Sequence, residues 1–258
     1  MKVINYSLVD NPISNRFVFL DNFISVIHNG AFDKAVKNTL SFSLIAVPLA
    51  VILSLLLAIV LEAKLPFRSQ FRTFFLSPMM VPVASVVLIW QVLFHYNGAV
   101  NDVLMRFGGS KIDWMKSEYS LVVVVLLFLW KNLGYNMILF MAALASIPKD
   151  ILEVATLESA SPLQVFFYIK IRYLSSTILF VTIMSLISSF KVFREIYLLT
   201  GDYPYDSIYM LQHFMNNKYK SLDYQTLSAA AILMSIVMVV IIGILFLVED
   251  RFGKDVEG

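Results

Sequence analysis

Five long apolar stretches separated by shorter polar segments dominate the chain. They are rich in Leu, Val and Ile and lie at about 38–61, 74–94, 119–145, 176–200 and 227–248. Because an α-helix rises about 1.5 Å per residue, about 20 apolar residues cross a bilayer core of roughly 30 Å. Helices satisfy their own backbone hydrogen bonds in lipid without closing a barrel. The pattern therefore predicts an all-α integral membrane protein, a polytopic helix bundle with five visible spans.

The polar segments predict how the chain is divided. We expect an external N-terminal segment at 1–36 and a transmembrane domain at 37–248. The domain includes a long polar loop at 146–175, and a short tail at 249–258 follows it.

Composition agrees with this assignment and excludes several classes of function. The 258 residues are 59% hydrophobic and only 15% charged, against about 25% charged in soluble domains. A net charge of +2 is too balanced to predict nucleic-acid binding. The chain has no cysteine, which excludes disulfides and thiolate chemistry. Its three histidines (His28, His95 and His213) are scattered without metal-ligand spacing, so we predict no metal site and packed or solvated rings.

The 146–175 loop predicts two short helices with a break between them. Ser146 is placed to cap the first helix, and Pro148 suits its opening turn. Ser161 and Gln164 form a capping box that restarts the helix. From these residues alone, the loop is either an ordinary connector on the membrane surface or an amphipathic segment that seats in a groove of another protein.

The run from Glu153 to Ile169 resembles the EAA loop of inner-membrane permeases of binding-protein-dependent ABC importers. Four positions depart from the motif: Val154, Glu158, Ser159 in place of glycine, and Arg172 in place of proline. If position 159 needs a positive φ, a side chain there is disfavoured by roughly 1 kcal/mol. The resemblance implies an ATPase-coupling role for Glu153, Ala155, Glu158, Ser159, Ala160, Phe166, Phe167 and Ile169.

Further matches extend this resemblance along nearly the whole chain. Pro78, Pro82, Trp90, Gly98 and Asn101 match a pattern of the carbohydrate-type branch, which is maltose- or glycerol-phosphate-like. The runs 130–137 and 189–193, followed by Leu199-Thr200-Gly201 and Pro204, resemble the first of the two permease types in such importers. The implied fold is that of a type I ABC importer permease, with a sixth, N-terminal span missing from this chain.

The resemblance also implies the setting of the protein. It predicts a multi-pass protein of the bacterial or archaeal inner membrane, with the 146–175 loop and the C-terminus in the cytoplasm. No Gly-x-x-x-x-Gly-Lys-Ser/Thr run occurs, so this chain is not expected to cradle ATP. We expect a transport subunit without enzymatic activity, with ATP and Mg on partner ATPase subunits. The other expected partners are a second permease subunit, an extracytoplasmic solute-binding protein and membrane lipid.

Several polar residues lie inside the predicted spans. A charge at the bilayer centre costs at least about 2.5–3.5 kcal/mol, so Lys131 should face the bundle interior or water. Lys131 either lines a solute cavity or is a structural lysine with a polar partner. Lys191 and Glu195, four residues apart, form either a local ion pair or part of a pathway. Amides and aromatic rings nearby either join helices or contact a sugar. The candidate substrate-pathway residues are Trp90, Gln91, Lys131, Asn132, Tyr135, Asn136, Phe190, Lys191 and Phe193.

The predicted function is the permease subunit of an ATP-driven solute importer, with a sugar as the expected solute. The alternative is a secondary transporter driven by an ion gradient, although the spans contain almost no acidic residues apart from Glu195. A membrane enzyme would need a convergent group of titratable residues. A scaffold without transport activity would need no polar residues near the membrane centre, where Lys131 and Asn132 lie.

Overall fold

The computed structural model describes residues 2–11, 14–62 and 68–253. Within these ranges the chain is almost entirely helical, with one isolated antiparallel bridge between Val9 and Phe17. The α-helices are α1 Lys2–Leu8, α2 Asp21–Ile27, α3 Gly30–Glu62, α4 Arg68–Met80, α5 Val83–Leu93, α6 Ala99–Arg106, α7 Ser120–Ala145, α8 Lys149–Leu157, α9 Pro162–Gln164, α10 Ile171–Tyr173, α11 Ser175–Phe190, α12 Phe193–Thr200, α13 Leu211–Lys220 and α14 Tyr224–Gly253. A π-helix at Val165–Lys170 and a 3₁₀ turn at Asp206–Ile208 complete the set.

Four stretches among the described residues are long and apolar enough to cross a membrane. They are Gly30–Glu62, Ser120–Ala145, Ser175–Thr200 and Tyr224–Arg251. The first begins earlier than predicted, so α3 takes in the last residues of the segment that we expected to be external. The third includes a short turn at Lys191 and Val192 between α11 and α12.

The span predicted at 74–94 is not one continuous helix. It consists of Ser69–Met80 and Val83–Leu93, which are bent by 101° at their junction. Pro82 is the N-cap of α5. Proline has no amide hydrogen to donate, and it disfavours helical geometry at the residue before it, which ends α4 there. Pro48 is accommodated inside α3.

The chain divides into two compact units. Unit 1 takes its described residues from Met1–Ile45, Pro82–Phe128 and Ser188–Ile241, and unit 2 takes them from Ala46–Val81, Leu129–Ile187 and Ile242–Gly258. Each unit has its own apolar core.

Unit 1 is held together by apolar packing and by hydrogen bonds between distant parts of the chain. Phe32 packs edge-to-face on Phe214, with a centroid distance of 5.4 Å, beside the buried Ala229 and Ala230. The Thr39 hydroxyl donates to the Ala35 carbonyl and accepts from the Leu211 amide, both at 2.8 Å. Buried hydroxyl pairs add further links, at Ser43–Ser189 (2.8 Å) and Ser120–Ser207 (2.9 Å).

Unit 2 has an apolar core built on α3, α7 and α11. Its fully buried members include Met137, Phe140 and Leu174. Gly134 allows α7 to approach α4 closely, because a Cβ on this residue would lie 1.9 Å from the Phe75 carbonyl oxygen. Only glycine fits there without a shift of the backbone.

Candidate functional site

The first helix of the 146–175 loop begins at Lys149 rather than at a serine cap. Pro148 is the N-cap, and no side chain caps the helix. The Ser146 hydroxyl donates instead to the Ala143 carbonyl, at 2.7 Å, within the last turn of α7. The predicted Ser146 cap is therefore wrong, because Ser146 belongs to the end of the preceding helix.

The break between the two short helices is a Schellman turn centred on Ser159. The Ser159 amide donates to the Thr156 carbonyl and the Ala160 amide donates to the Ala155 carbonyl, both at 3.0 Å. Ser159 has φ = 56°, the left-handed conformation that usually takes glycine at this position. Position 159 therefore has the positive φ at which a side chain is disfavoured, and the serine there is strained by roughly 1 kcal/mol.

The capping box that restarts the chain is confirmed. The Ser161 amide donates to Gln164 Oε1 at 2.8 Å, and the Gln164 amide donates to Ser161 Oγ at 3.3 Å. A π-helix at Val165–Lys170 follows, which the sequence did not predict. Isolated π-helical turns occur often at functional sites.

The two phenylalanines of the π-helical turn differ in their surroundings. Phe166 is half-buried and packs against the core of unit 2, whereas Phe167 is 60% exposed. Leu157, at 84%, and Leu163, at 70%, are more exposed still. The loop therefore has one anchored side and one side on which large apolar residues meet the surroundings.

The polar members of the loop lie on its accessible side. Glu153, Glu158 and Ser159 are exposed, and Ala160 is half-buried. Ala155 is buried and shares with Glu158 and Ile169 the wall of a groove of about 300 Å³. The eight residues named for coupling all lie in unit 2, and that role stays a prediction.

One ion pair joins the loop to the end of α3. Lys170 Nζ lies 2.7 Å from Glu62 Oε2, and the side chains are 20% and 31% exposed. The sequence does not predict this contact, since the partners are far apart in the chain and no periodic pattern links them.

Five of the nine candidate pathway residues lie in unit 1. Trp90 is 9% exposed and stacks on Phe94, and Phe190 is 6% exposed. Gln91 Nε2 donates to the Leu198 and Leu199 carbonyls at 3.2 and 3.3 Å. This contact agrees with the alternative in which Gln91 joins helices.

The two other candidates in unit 1 are an aromatic residue, Phe193, and a cationic residue, Lys191. Phe193 packs edge-to-face on His213, with a centroid distance of 4.7 Å. Lys191 is exposed in the turn between α11 and α12, whereas Glu195 is buried. The predicted pair therefore does not share one uninterrupted helix.

The remaining candidates lie on α7 in unit 2. Asn136 is 2% exposed, and its Nδ2 donates to Ser185 Oγ at 2.9 Å, which links α7 to α11. Lys131, Asn132 and Tyr135 are half-buried. Their contact with a solute stays a prediction. No group of three or more His, Asp or Glu residues that could hold a metal ion occurs within the described ranges.

His213 has a buried environment that its position in the sequence did not indicate. Its ring is fully buried, and Nδ1 accepts a hydrogen bond from the Met210 amide at 3.1 Å. Burial lowers the pKa of His213 to about 4, because the low-polarity surroundings disfavour the charged ring. His213 is therefore a packed histidine and not a solvated one.

Four apolar helical stretches among the described residues are long enough to cross a membrane, as expected of an integral membrane protein. The chain belongs to the family of binding-protein-dependent transport system inner membrane components, whose pattern matches residues 46–257. It is thus a multi-pass protein of the inner membrane.

Individual relatives agree with this assignment. The chain is 31% identical over 241 residues to the trehalose/maltose transport system permease protein MalF of Thermococcus litoralis, covering 93% of this chain and 81% of that protein. It is 30% identical over 222 residues to the sulfoquinovosyl glycerol transport system permease protein SmoG of Agrobacterium fabrum, covering 85% and 72%.

A solved structure shares the fold. It is a bacterial ABC transporter involved in the import of the acidic polysaccharide alginate, with a TM-score of 0.84 and 20% identity. The match covers 97% of this chain and 88% of that one.

Proposed function

We propose that this chain is a transmembrane permease subunit of an ATP-driven sugar importer. The substrate class rests on the relatives, whose names specify trehalose/maltose and sulfoquinovosyl glycerol. The energy source would be ATP with Mg bound by separate ATPase subunits, because the chain has no phosphate-binding loop of its own.

The observation that carries this proposal is the two-sided 146–175 loop. Phe166 anchors one side to the core of unit 2, and Leu157, Leu163 and Phe167 are presented on the other. Large exposed apolar side chains on an ordered segment are typical of a protein interface. The nearby carboxylates of Glu153 and Glu158 add polar contacts at the rim. We assign this side to an ATPase subunit, and the loop and the C-terminus would then lie in the cytoplasm.

The mechanism would be alternating access. Closure of the ATPase subunits would displace the loop, and the helices attached to it would switch between two packed arrangements. Sugar delivered from outside would enter when the pathway faces outward. The pathway would draw on the polar and aromatic candidates, of which Lys131, Asn132 and Tyr135 are half-buried.

A second permease subunit and an external solute-binding protein complete the proposed assembly. A similar alginate transporter, with a TM-score of 0.82 to this chain, was crystallised in complex with a periplasmic protein loaded with alginate pentasaccharide. This supports delivery of the solute by a separate external protein.

The test is purification of the tagged chain from its native membrane, with mass spectrometry of the chains that accompany it. We expect an ATPase to copurify and to be reduced at least about tenfold by Leu163→Ala with Phe167→Ala, because exposed apolar anchors dominate interfaces. Phe107→Ala is the matched control, since Phe107 is 86% exposed but lies in the other unit. The permease itself should keep its thermal stability in all variants.

Two results would contradict the proposal. One is full retention of the ATPase by the double variant. The other is a chain that purifies without an ATPase and whose transport stops when the ion gradient is dissipated. The second result would favour the secondary transporter, in which the buried Glu195 carboxylate would be the first residue to examine.

A further inference from the structure

A cleft in unit 2 has an apolar body and a charged mouth. It lies between the start of α11 and the end of α14 and has a volume of about 470 Å³. Its apolar wall includes Ile171, Ile178, Leu179, Leu245 and Val248. Arg172, Glu249 and Arg251 supply the charged groups. No role has been assigned above to this cleft.

The position of the cleft along the chain places it at a membrane boundary. Ser175 begins one candidate span and Arg251 ends another. Ile178, Leu179, Leu245 and Val248 lie about one to two turns inside these spans, whereas Ile171 and Arg172 come just before the first span and Arg251 ends the second. In the most apolar part of α14, none of the residues is buried in the structure. The wall of this cleft is therefore at the depth of lipid tails, and its mouth is at the depth of headgroups.

The charges at the mouth fit an anionic headgroup. Arg172 and Arg251 are both exposed, and a planar guanidinium binds phosphate through two parallel hydrogen bonds. Glu249 is held by a hydrogen bond from Ser176 Oγ to its Oε1, at 3.1 Å. The cleft therefore has two cationic side chains and one acidic one, a balance that favours an anion. Basic pockets between transmembrane helices are known to bind anionic lipid headgroups.

The apolar wall of the cleft suits a lipid tail. A single acyl chain is narrow and flexible, and it gains by covering the apolar wall. A water-soluble partner would not reach the apolar depth of Leu179 and Leu245.

We propose that this cleft binds an anionic phospholipid. Its phosphate would contact Arg172 and Arg251, and one acyl chain would lie along Ile178, Leu179 and Leu245. Phe167 also lines the cleft, so the bound lipid would touch the 146–175 loop at one of its exposed apolar side chains. The inference depends on the membrane location of the chain and not on the proposed ATPase coupling.

The test is lipid binding to the assembled transporter, purified with its partner chains and stripped of lipid by detergent. Binding of phosphatidylglycerol and of phosphatidylcholine would be counted by native mass spectrometry at equal lipid concentrations. We expect phosphatidylglycerol to be preferred by at least about fivefold, as one or two basic residues at a membrane surface provide. Arg172→Gln with Arg251→Gln should remove the preference. Arg72→Gln, an exposed arginine of α4 that does not line the cleft, should keep it.

A second variant tests the tail site without removing charge. Leu245→Trp fills the apolar part of the cleft and should lower retention of both lipids by at least about threefold, since it takes away apolar contact area. An unchanged phosphatidylglycerol preference in the double arginine variant would overturn the proposal. Unchanged lipid retention in Leu245→Trp would also overturn it. So would a cross-link between position 248 and a partner chain, because a protein would then occupy the cleft instead of a lipid.

Discussion

The loops at 95–119 and 146–175 are held in opposite ways. The first is organised from within by Asn101, which has no exposed surface. Its Nδ2 donates to the Tyr96 and Ile112 carbonyls, and its Oδ1 accepts from the Ile112 amide and the Trp114 indole, at 2.8–3.1 Å. The second loop has local turns and caps and an ion pair to Glu62, and its apolar side chains (Ile147, Leu152, Phe166, Ile171 and Leu174) pack in or against the core of unit 2.

This difference shows which loop is suited to move. A buried hub with four hydrogen bonds opens only at a large cost in free energy. A segment joined to its unit by apolar contacts and a partly exposed ion pair can shift as a body and keep its own turns and caps, because apolar contacts are not directional.

Asn101→Ala should cause the largest loss. It removes four hydrogen bonds from a buried position, each worth about 1 kcal/mol net, so we expect the free energy of unfolding to fall by about 4 kcal/mol. Thermal unfolding in detergent would measure this as a lower midpoint. Asn97→Ala is the control, because Asn97 is exposed and its side chain accepts one hydrogen bond, from Lys111. Equal effects of the two variants would show that Asn101 is not the hub.

His213 predicts a pH dependence that belongs to unit 1. Its pKa is about 4 in the folded chain against about 6.5 when unfolded, so the unfolded state binds the proton more readily. The contribution of His213 to stability is fully present above pH 6.5. It is lost as the pH falls towards 4, and the loss amounts to about 3 kcal/mol there. His213→Gln should remove this part of the pH dependence. An identical pH profile of unfolding in the variant would contradict the assignment.

The features that the sequence predicted are those encoded by neighbouring residues. The Ser161–Gln164 capping box follows from a three-residue spacing, and the spans follow from average hydropathy over many residues. The positive φ at Ser159 could be stated only as a condition, because it depends on how the turn closes.

The features that the sequence missed arise from contacts at long range or from irregular backbone. Asn101 stood out only as part of a family pattern, and its role as a hub depends on loop residues without any periodicity. The Lys170–Glu62 contact and the π-helical turn likewise have no local signature. Pro82 likewise stood out only as part of the family pattern, and whether a proline bends or breaks a span is decided by packing.

Phe166→Ala should separate anchoring from partner contact. Phe166 packs on the unit 2 core, so its truncation should lower the free energy of unfolding by about 2 kcal/mol. This is less than the roughly 3–5 kcal/mol of a core phenylalanine, because Phe166 is only half-buried. Phe167→Ala, at the exposed neighbouring position, should leave stability within about 0.5 kcal/mol. Thermal unfolding of the two variants side by side is the measurement. A larger loss in Phe167→Ala would reverse the assignment of the two faces.

Exchange of the charges of Glu62 and Lys170 tests the link between the loop and α3. Each single change, Glu62→Lys or Lys170→Glu, should cost about 1 kcal/mol and uncouple ATP hydrolysis from sugar uptake, since the loop loses its tie to α3. The double exchange should restore the ratio of sugar transported to ATP hydrolysed. A purely structural ion pair would alter stability and leave that ratio unchanged. Failure of the double exchange to restore it, with normal stability, would show that the contact does not transmit motion.

Ser159→Gly should have the smallest effect and the most specific one. Glycine relieves the strain at φ = 56° but adds freedom to the unfolded chain, so the net gain is below about 1 kcal/mol. Leu222→Gly is the control, because Leu222 is also exposed and has φ = 60° in unit 1. Both variants should raise the unfolding midpoint slightly. Only Ser159→Gly should change the rate of ATP-driven transport, since a relaxed turn lets the two short helices of the 146–175 loop move independently. An equal change of transport rate in Leu222→Gly would mean that turn strain acts on transport through overall stability. The difference between the loops at 95–119 and 146–175 would then have no bearing on movement.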